Sequence, residues 1–193
     1  MMARATFSGG AAMQEKLRQI ASKLEAKTLR VGFLEDATYP DGTSVATVAA
    51  TNEFGGTVTV PEHETKLYRS INEKTGEFRN GGRFVKADQS NFETTHTVPE
   101  HTVDVPPRPF FRKMVESGKG HWGADLGGLL RSNDYDADRA LELMGEQLEG
   151  ELQQSIRDFT DPGNAPSTIA KKGFDKPLIE TSHMLNSVDS DLD

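Results

Sequence analysis

Histidines beside carboxylates are the residues of this chain whose types best suit metal binding or catalysis. Three of the five histidines, His63, His96 and His101, lie in one stretch, and Glu62 and Glu100 directly precede two of them. Imidazole nitrogens and carboxylate oxygens bind Zn²⁺, so a hairpin that gathered these side chains would suit a metal-dependent hydrolase. The chain contains neither a His-Glu-x-x-His helix nor another recognised ligand spacing. We therefore expect isolated, solvent-facing histidines and keep the hydrolase as an alternative.

A second group of catalytic residue types occurs near the end of the chain, where Ser182 and His183 follow Glu180. Neighbours along one helix do not form the geometry of nucleophile, base and orienting carboxylate that hydrolysis requires. The chain also lacks a Gly-x-Ser-x-Gly elbow, a Walker loop and a dinucleotide fingerprint. It has no cysteine, which removes thiolate zinc sites and cysteine nucleophiles. The sequence thus predicts no catalytic residue, no metal site and no cofactor, and a protein that is not an enzyme.

Length and charge limit the other classes of function. A chain of 193 residues with 35% hydrophobic residues can bury one core of ordinary size. The formal net charge of -8 argues against a surface that grips nucleic acid, because tight phosphate binding depends on clustered Lys and Arg. No long apolar run is present, and Met1 to Gly10 lacks the pattern of a signal peptide. We expect synthesis in a cytoplasm and no membrane contact.

Apolar residues at helical spacing predict three helices that position everything else. The first covers 11–27, and a short Ala-rich helix over 44–54 begins at the capping residue Ser44. The third and longest covers 136–159. Its predicted buried stripe comprises Ala137, Leu141, Met144, Leu148, Leu152, Ile156 and Phe159.

Alternating residues over 28–34 predict a half-buried strand, and 57–105 has the texture of a β-rich inserted arm. Val-Pro-Glu-His occurs at 60–63 and again at 98–101, which suggests two strands that enter and leave the arm with similar edge geometry. The arm contains six Lys or Arg against eight Asp or Glu, so it does not suit nucleic acid. Its aromatic residues either contact a neighbouring subunit or hold the arm to its own domain, and these residues are Tyr68, Phe78, Phe84 and Phe92.

These patterns predict an α+β fold, with a small, mainly antiparallel sheet packed by helices and a β-rich inserted arm. One core domain is expected from 1–56 and 106–193, and the insertion from 57–105. The acidic end of the chain, with Asp189, Asp191 and Asp193, is expected to fray.

Two short segments flank the predicted arm. The first, Asn52-Glu53-Phe54-Gly55, ends the Ala-rich helix, and we expect Phe54 to anchor the core and Gly55 to stop the helix at positive φ. The second, Pro107-Arg108-Pro109-Phe110-Phe111, forms a stiff elbow in which proline disfavours helix before Phe110 starts one. Arg108 is suited to hold a carboxylate of the same or the next subunit, and Glu53 is the expected partner.

With Pro177-Leu178-Ile179-Glu180-Thr181, these two segments resemble the neck and tail-completion proteins of long-tailed bacteriophages. The resemblance covers most of the chain outside the arm. It implies a virion protein of the head–tail neck, in a ring of about six or twelve copies. Its partners would be head-completion and tail proteins. In this family a glycine usually follows the third segment, before a helix and a final strand, whereas Ser182 stands there in this chain.

The resemblance makes Asn52 to Gly55 and Pro107 to Phe111 structural or subunit-interface residues, and the arm aromatics contact residues. DNA would pass through the ring without sequence-specific binding, because a lumen lined by carboxylates repels it. Two related roles stay open beside the neck protein. One is a tail terminator that caps the tail tube, and the other is an assembly chaperone that is absent from the particle.

Overall fold

The computed structural model describes residues 10–193, and the expectation for a signal peptide falls on residues 1–9, outside this part. The chain forms two compact units. Met1–Gly55 and Pro106–Asp193 form the first, and Gly56–Val105 form the second. None of the described helices has the length and apolar character needed to cross a membrane.

The described part of the first unit contains seven α-helices and a two-stranded antiparallel sheet, which confirms the predicted α+β class. The helices are α1 Gly10–Glu25, α2 Val45–Phe54, α3 Phe110–Gly118, α4 Trp122–Ser132, α5 Ala137–Asp158, α6 Pro166–Lys172 and α7 His183–Asn186. The strands are β1 Leu29–Phe33 and β6 Val188–Leu192.

Helix α5 is the central element of the first unit and, at 22 residues, its longest described helix. Asp136 caps it, because its carboxylate accepts hydrogen bonds from the backbone N–H groups of Asp138 and Arg139. The predicted stripe is buried, with Leu148 only partly covered. The core around it contains Val45, Ala49, Phe110, Met114, Leu152, Ile156, Phe159, Met184, Leu185 and Val188.

The sheet of the first unit pairs the strand that follows α1 with the last strand of the chain. Strand β1 pairs with β6 from Leu29↔Leu192 to Phe33↔Val188, and Arg30 forms ion pairs with Asp191 and Asp193. The acidic end therefore does not fray, and that expectation is wrong. Charge alone suggested a solvated tail, but backbone pairing and the buried Val188 hold this segment in the sheet.

The sheet approaches α5 closely at Gly145. A Cβ atom there would lie 2.6 Å from Ser190 Oγ and 3.2 Å from Leu29 Cδ1, so both strands crowd this position. We expect Gly145→Ala to lower the free energy of unfolding by about 2 kcal/mol, because the collision outweighs the higher helix propensity of alanine. Urea unfolding followed by circular dichroism measures the change.

Gly150 supplies a matched control on the same helix. Nothing lies within 4 Å of a Cβ atom built there, and the residue is exposed. Gly150→Ala should therefore raise the free energy of unfolding by up to about 1 kcal/mol. Equal effects of the two substitutions would contradict the close approach of α5 and the sheet.

The second unit is one long antiparallel ribbon with a break in its middle. Its strands are β2 Gly56–Val60, β3 His63–Arg69, β4 Phe92–Val98 and β5 His101–Val105. Strand β2 pairs with β5, and β3 pairs with β4. Val60 lies opposite His101 and His63 lies opposite Val98, so the two Val-Pro-Glu-His segments face each other across the break. Because proline has no N–H to donate, Pro61 and Pro99 account for the interrupted ladder.

Arginine and aromatic rings pack together at the closed end of this ribbon. The guanidinium of Arg69 lies 5.3 Å from the ring centroid of Phe78 and 5.0 Å from that of Phe84. Phe92 meets Phe78 edge to face at 5.7 Å, while Phe78 and Phe84 both stay exposed. Three of the four predicted contact aromatics thus stabilise the second unit from within.

Candidate functional site

The two segments that flank the second unit in sequence meet in the first unit, between α2 and α3. Glu53 is 5% exposed. Its carboxylate accepts hydrogen bonds from the backbone N–H groups of Phe111 at 2.9 Å and Arg112 at 3.2 Å. It also accepts one from Nε of Arg112 at 2.7 Å. Pro109, at the N-cap of α3, offers no side-chain cap. The acid of α2 therefore caps the next helix in its place.

Arg108 does not pair with Glu53, and the predicted ion pair is wrong. Its Nη1 donates to Asn52 Oδ1 at 3.0 Å, and its backbone N–H donates to the carbonyl of Asn52 at 2.6 Å. The helical start at Phe110 turns Arg112 toward Glu53 instead. Sequence reasoning missed Arg112, because Arg108 lies before the start of α3 and no helical spacing relates the two residues.

The three phenylalanines of these segments occupy different environments. Phe110 is 1% exposed and meets Phe33 edge to face at 6.3 Å, so it belongs to the core. Phe111 is half-buried at its edge. Phe54 is 69% exposed, so the expected core anchor is wrong. Its ring is covered on one side only, by the guanidinium of Arg112 at 5.2 Å. Gly55 ends α2 with φ 73°, as predicted.

The third segment reaches the same region from the end of the chain. Leu178, Ile179 and Glu180 line a pocket together with Asn52 and Arg108. Ser182 adopts φ 62°, a left-handed backbone that glycine adopts most easily. Helix α7 and strand β6 then follow.

The hydrolase-like residues of this segment do not form a catalytic triad. Nε2 of His183 lies 2.9 Å from the backbone carbonyl of Thr38, and its ring stacks on Tyr39 at 4.7 Å. Burial, with the charges of Glu180 and Asp41, raises the pKa of the Tyr39 phenol. His183 thus connects α7 to the loop before α2 through its contacts with Thr38 and Tyr39.

The histidines of the second unit are exposed and do not gather into a three-ligand cluster in the described part of the chain. The rings of His63 and His101 lie 6.3 Å apart. Each Nδ1 is 3.0 Å from the carbonyl two residues before it, those of Pro61 and Pro99. His96 lies opposite Thr65.

One cluster of metal-ligand types occurs in the described residues of the first unit. His121, Asp125 and Glu151 offer ligand atoms within 4.8 Å of one another. Asp125 Oδ2 lies 2.6 Å from His121 Nδ1 and accepts from Gln147. These two contacts hold the Asp125 pKa below its usual value, with His121 the larger cause.

Glu151 completes this network, because it accepts from both Gln147 and the indole N–H of Trp122. These hydrogen bonds make the cluster a polar link between α4 and α5. The spacing of His121 and Asp125 gave a weak signal in the sequence, as i and i+4 on one helix face. Nothing in the sequence indicated Glu151, which comes from another helix.

The comparisons with known proteins supply no relative from which a role transfers to this chain. Among protein-family models, curated proteins and solved structures, nothing matches it. The geometry of its own residues is therefore the basis for a functional assignment. Its main feature is the meeting of the three segments 52–55, 107–112 and 177–181 in the first unit.

Proposed function

We propose that this protein is a structural component of the head–tail neck of a long-tailed bacteriophage. Copies of the chain would form a ring between the head-completion complex and the tail tube, through which DNA passes. The chain would be made in the host cytoplasm and reside in the virion. Its role would be to set the geometry of the joint, and it would catalyse no reaction.

The observation that carries this proposal is the convergence of the three segments on which the phage resemblance rests. They are far apart in the sequence, yet Glu53 caps α3, Asn52 binds Arg108, and Ile179 lines the pocket beside both. The interactions of Glu53 with α3 and of Asn52 with Arg108 fix the angle between α2 and α3. A fixed angle is what a subunit needs if many copies are to close into a ring.

Exposed apolar surface next to this junction supports assembly. A groove of about 270 Å³ lies between α2 and α3 and is bordered by the small side chains Ala46, Ala49 and Ala50. Phe54 stands at its edge with most of its ring in solvent. On α1, Met13 and Leu17 are also exposed, although the helix is amphipathic. Such surfaces mark sites of protein contact more often than isolated exposed residues do.

The net charge suits a DNA passage better than a DNA-binding surface. Each copy contributes a formal charge of -8, so a closed ring multiplies the acidity. Carboxylates along a lumen repel the phosphate backbone, which lets DNA move without adhering. In this proposal the shape of the first unit sets the wedge angle, and the second unit contacts neighbouring components.

Inactivation of the gene in its phage tests this proposal. We expect DNA-filled heads and separate tails of normal length, visible by electron microscopy, because only the joint is missing. Supply of the protein in trans should restore infectious particles. Mass spectrometry of purified virions should detect the chain, and a map of the neck should show it as a ring.

Other outcomes select the competing roles. Tails of abnormal length would identify a tail terminator and overturn the neck assignment. Absence of the protein from finished virions, together with a requirement for it in tail assembly, would identify a chaperone. Turnover of a substrate with stoichiometric metal, lost in His101→Ala, would identify an enzyme.

A further inference from the structure

Arg108 is a cation without an acidic partner in the described part of the chain. Its three side-chain hydrogen bonds go to neutral acceptors, namely Asn52 Oδ1 at 3.0 Å and the carbonyls of Pro162 and Gly163, each at 3.4 Å. No carboxylate of residues 10–193 lies within 4.0 Å of its guanidinium. Partial burial lowers the pKa of Arg108 through desolvation of its guanidinium.

Two of its donors are free to bind a ligand. A guanidinium carries five N–H groups, and three are used in these bonds. One N–H remains on Nη1 and one on Nη2. These two nitrogens form the fork that binds a carboxylate through two parallel hydrogen bonds.

Arg108 lines a pocket of about 540 Å³, which is large enough to receive a side chain. Lys172 also lines the pocket, with its ammonium donating to the carbonyl of Lys176 at 2.7 Å and lying over the Phe174 ring, and Glu180 adds one negative charge. Apolar walls come from Leu178, Ile179 and Met184. The pocket is thus a locally positive site with apolar sides on a chain whose net charge is -8.

We infer that this pocket binds a carboxylate side chain of a second copy of this chain. Charge complementarity selects the occupant, because every copy carries 30 Asp and Glu residues and few pair with its own cations in the described part. Because Asn52 and the chain around 162–163 hold Arg108 in place, the fork is oriented before the carboxylate arrives, which reduces the entropy lost on binding. This inference rests on the proposed ring and names the contact that would join adjacent copies.

Sedimentation of the purified full chain tests the site, with variants that separate folding from binding. Arg108→Gln should weaken self-association about 100-fold, as expected for loss of one partner of an oriented charge pair. Lys172→Gln should weaken it about fivefold, because its charge lies at the wall of the pocket. Lys172 does not hold the elbow, so this variant tests the site even if Arg108→Gln disturbs the fold. Arg139→Gln, which removes an equal charge from an exposed pair with Glu142, is the control and should have no effect.

Cross-linking identifies the occupant. A carbodiimide joins a lysine amine to a carboxylate in contact with it, so a mixture of ¹⁵N-labelled and unlabelled chains should give mixed-isotope peptides that contain Lys172. These peptides should disappear in Arg108→Gln. Cross-links from Lys172 within single copies only, or self-association unchanged in both pocket variants, would overturn the inference.

A wild-type chain that stays monomeric at about 1 mM would also overturn it. That result leaves the proposed function standing, because a neck ring can form on the head alone. The gene-inactivation experiment tests the neck role separately, so failure of the pocket and failure of the neck assignment give different results.

Discussion

Replacement of Phe110 by alanine is expected to lower the free energy of unfolding by about 4 kcal/mol. The side chain is 1% exposed and packs among Phe33, Met114 and the α5 residues of the core. Its loss removes the transfer free energy of a large ring and leaves a cavity that the surrounding helices fill only in part. Urea or thermal unfolding of the purified chain, followed by circular dichroism, measures this change.

Phe54 provides the matched control, because it has the same side chain, lies near the same junction and is 69% exposed. We expect Phe54→Ala to change the free energy of unfolding by less than about 1 kcal/mol. If the proposed oligomeric ring forms, Phe54→Ala should instead reduce the yield of joined particles, because the Phe54 side chain then lies in a contact between copies. A large stability loss in Phe54→Ala, equal to that in Phe110→Ala, would contradict this division between core and surface.

Removal of the Glu53 carboxylate is the second substitution with a large expected effect. Glu53→Ala should lower the free energy of unfolding by about 3 kcal/mol, because two backbone N–H groups of α3 lose their acceptor in a region that water reaches poorly. The helix also loses the negative charge near its N-terminus. Glu53→Gln keeps one acceptor and the side-chain volume, so its cost should be nearer to about 1 kcal/mol.

Arg112 distinguishes helix capping from the ion pair as the source of this stability. Its side chain is 59% exposed, so Arg112→Ala leaves Glu53 still bonded to the backbone of α3 and should cost less than about 1 kcal/mol. If Arg112→Ala were as destabilising as Glu53→Ala, the ion pair and not the cap would stabilise the junction. The two variants, measured under the same conditions, decide between these causes.

Local patterns in the sequence were sufficient for the class of fold and for α1, α2 and α5. The 3.6-residue spacing of apolar residues located α5, and Ser44 and Asp136 occupy the capping positions at the starts of α2 and α5. These signals work because a helix requires one buried face and acceptors for its first N–H groups, and both requirements are met within a few residues. The positive φ of Gly55 follows from the same local logic.

Side-chain partners far apart in the sequence were not predictable in this way. The predicted ion pair between Glu53 and Arg108 named the right segments but the wrong arginine. The first turn of α3 places Arg112 beside Glu53, whereas Arg108 lies beside Asn52. Phe54 was expected inside for its hydrophobicity, yet α2 buries Val45, Ala49 and Glu53 on the opposite face. Burial depends on the orientation of the whole helix, which its short, mostly apolar sequence leaves undetermined.

The sequence by itself therefore determined where α1, α2, α5 and β1 form, that the middle of the chain is β-rich, and which short segments deserve comparison with phage neck proteins. Only the tertiary structure decided that Glu53 caps α3, that Arg108 keeps two free donors beside a pocket, and that the acidic end completes a sheet. The physical reason is the sequence distance over which each kind of interaction acts. Periodicity and capping act over a few residues, whereas an ion pair, a cavity or a strand pairing depends on the three-dimensional positions of segments that the chain brings together from far apart.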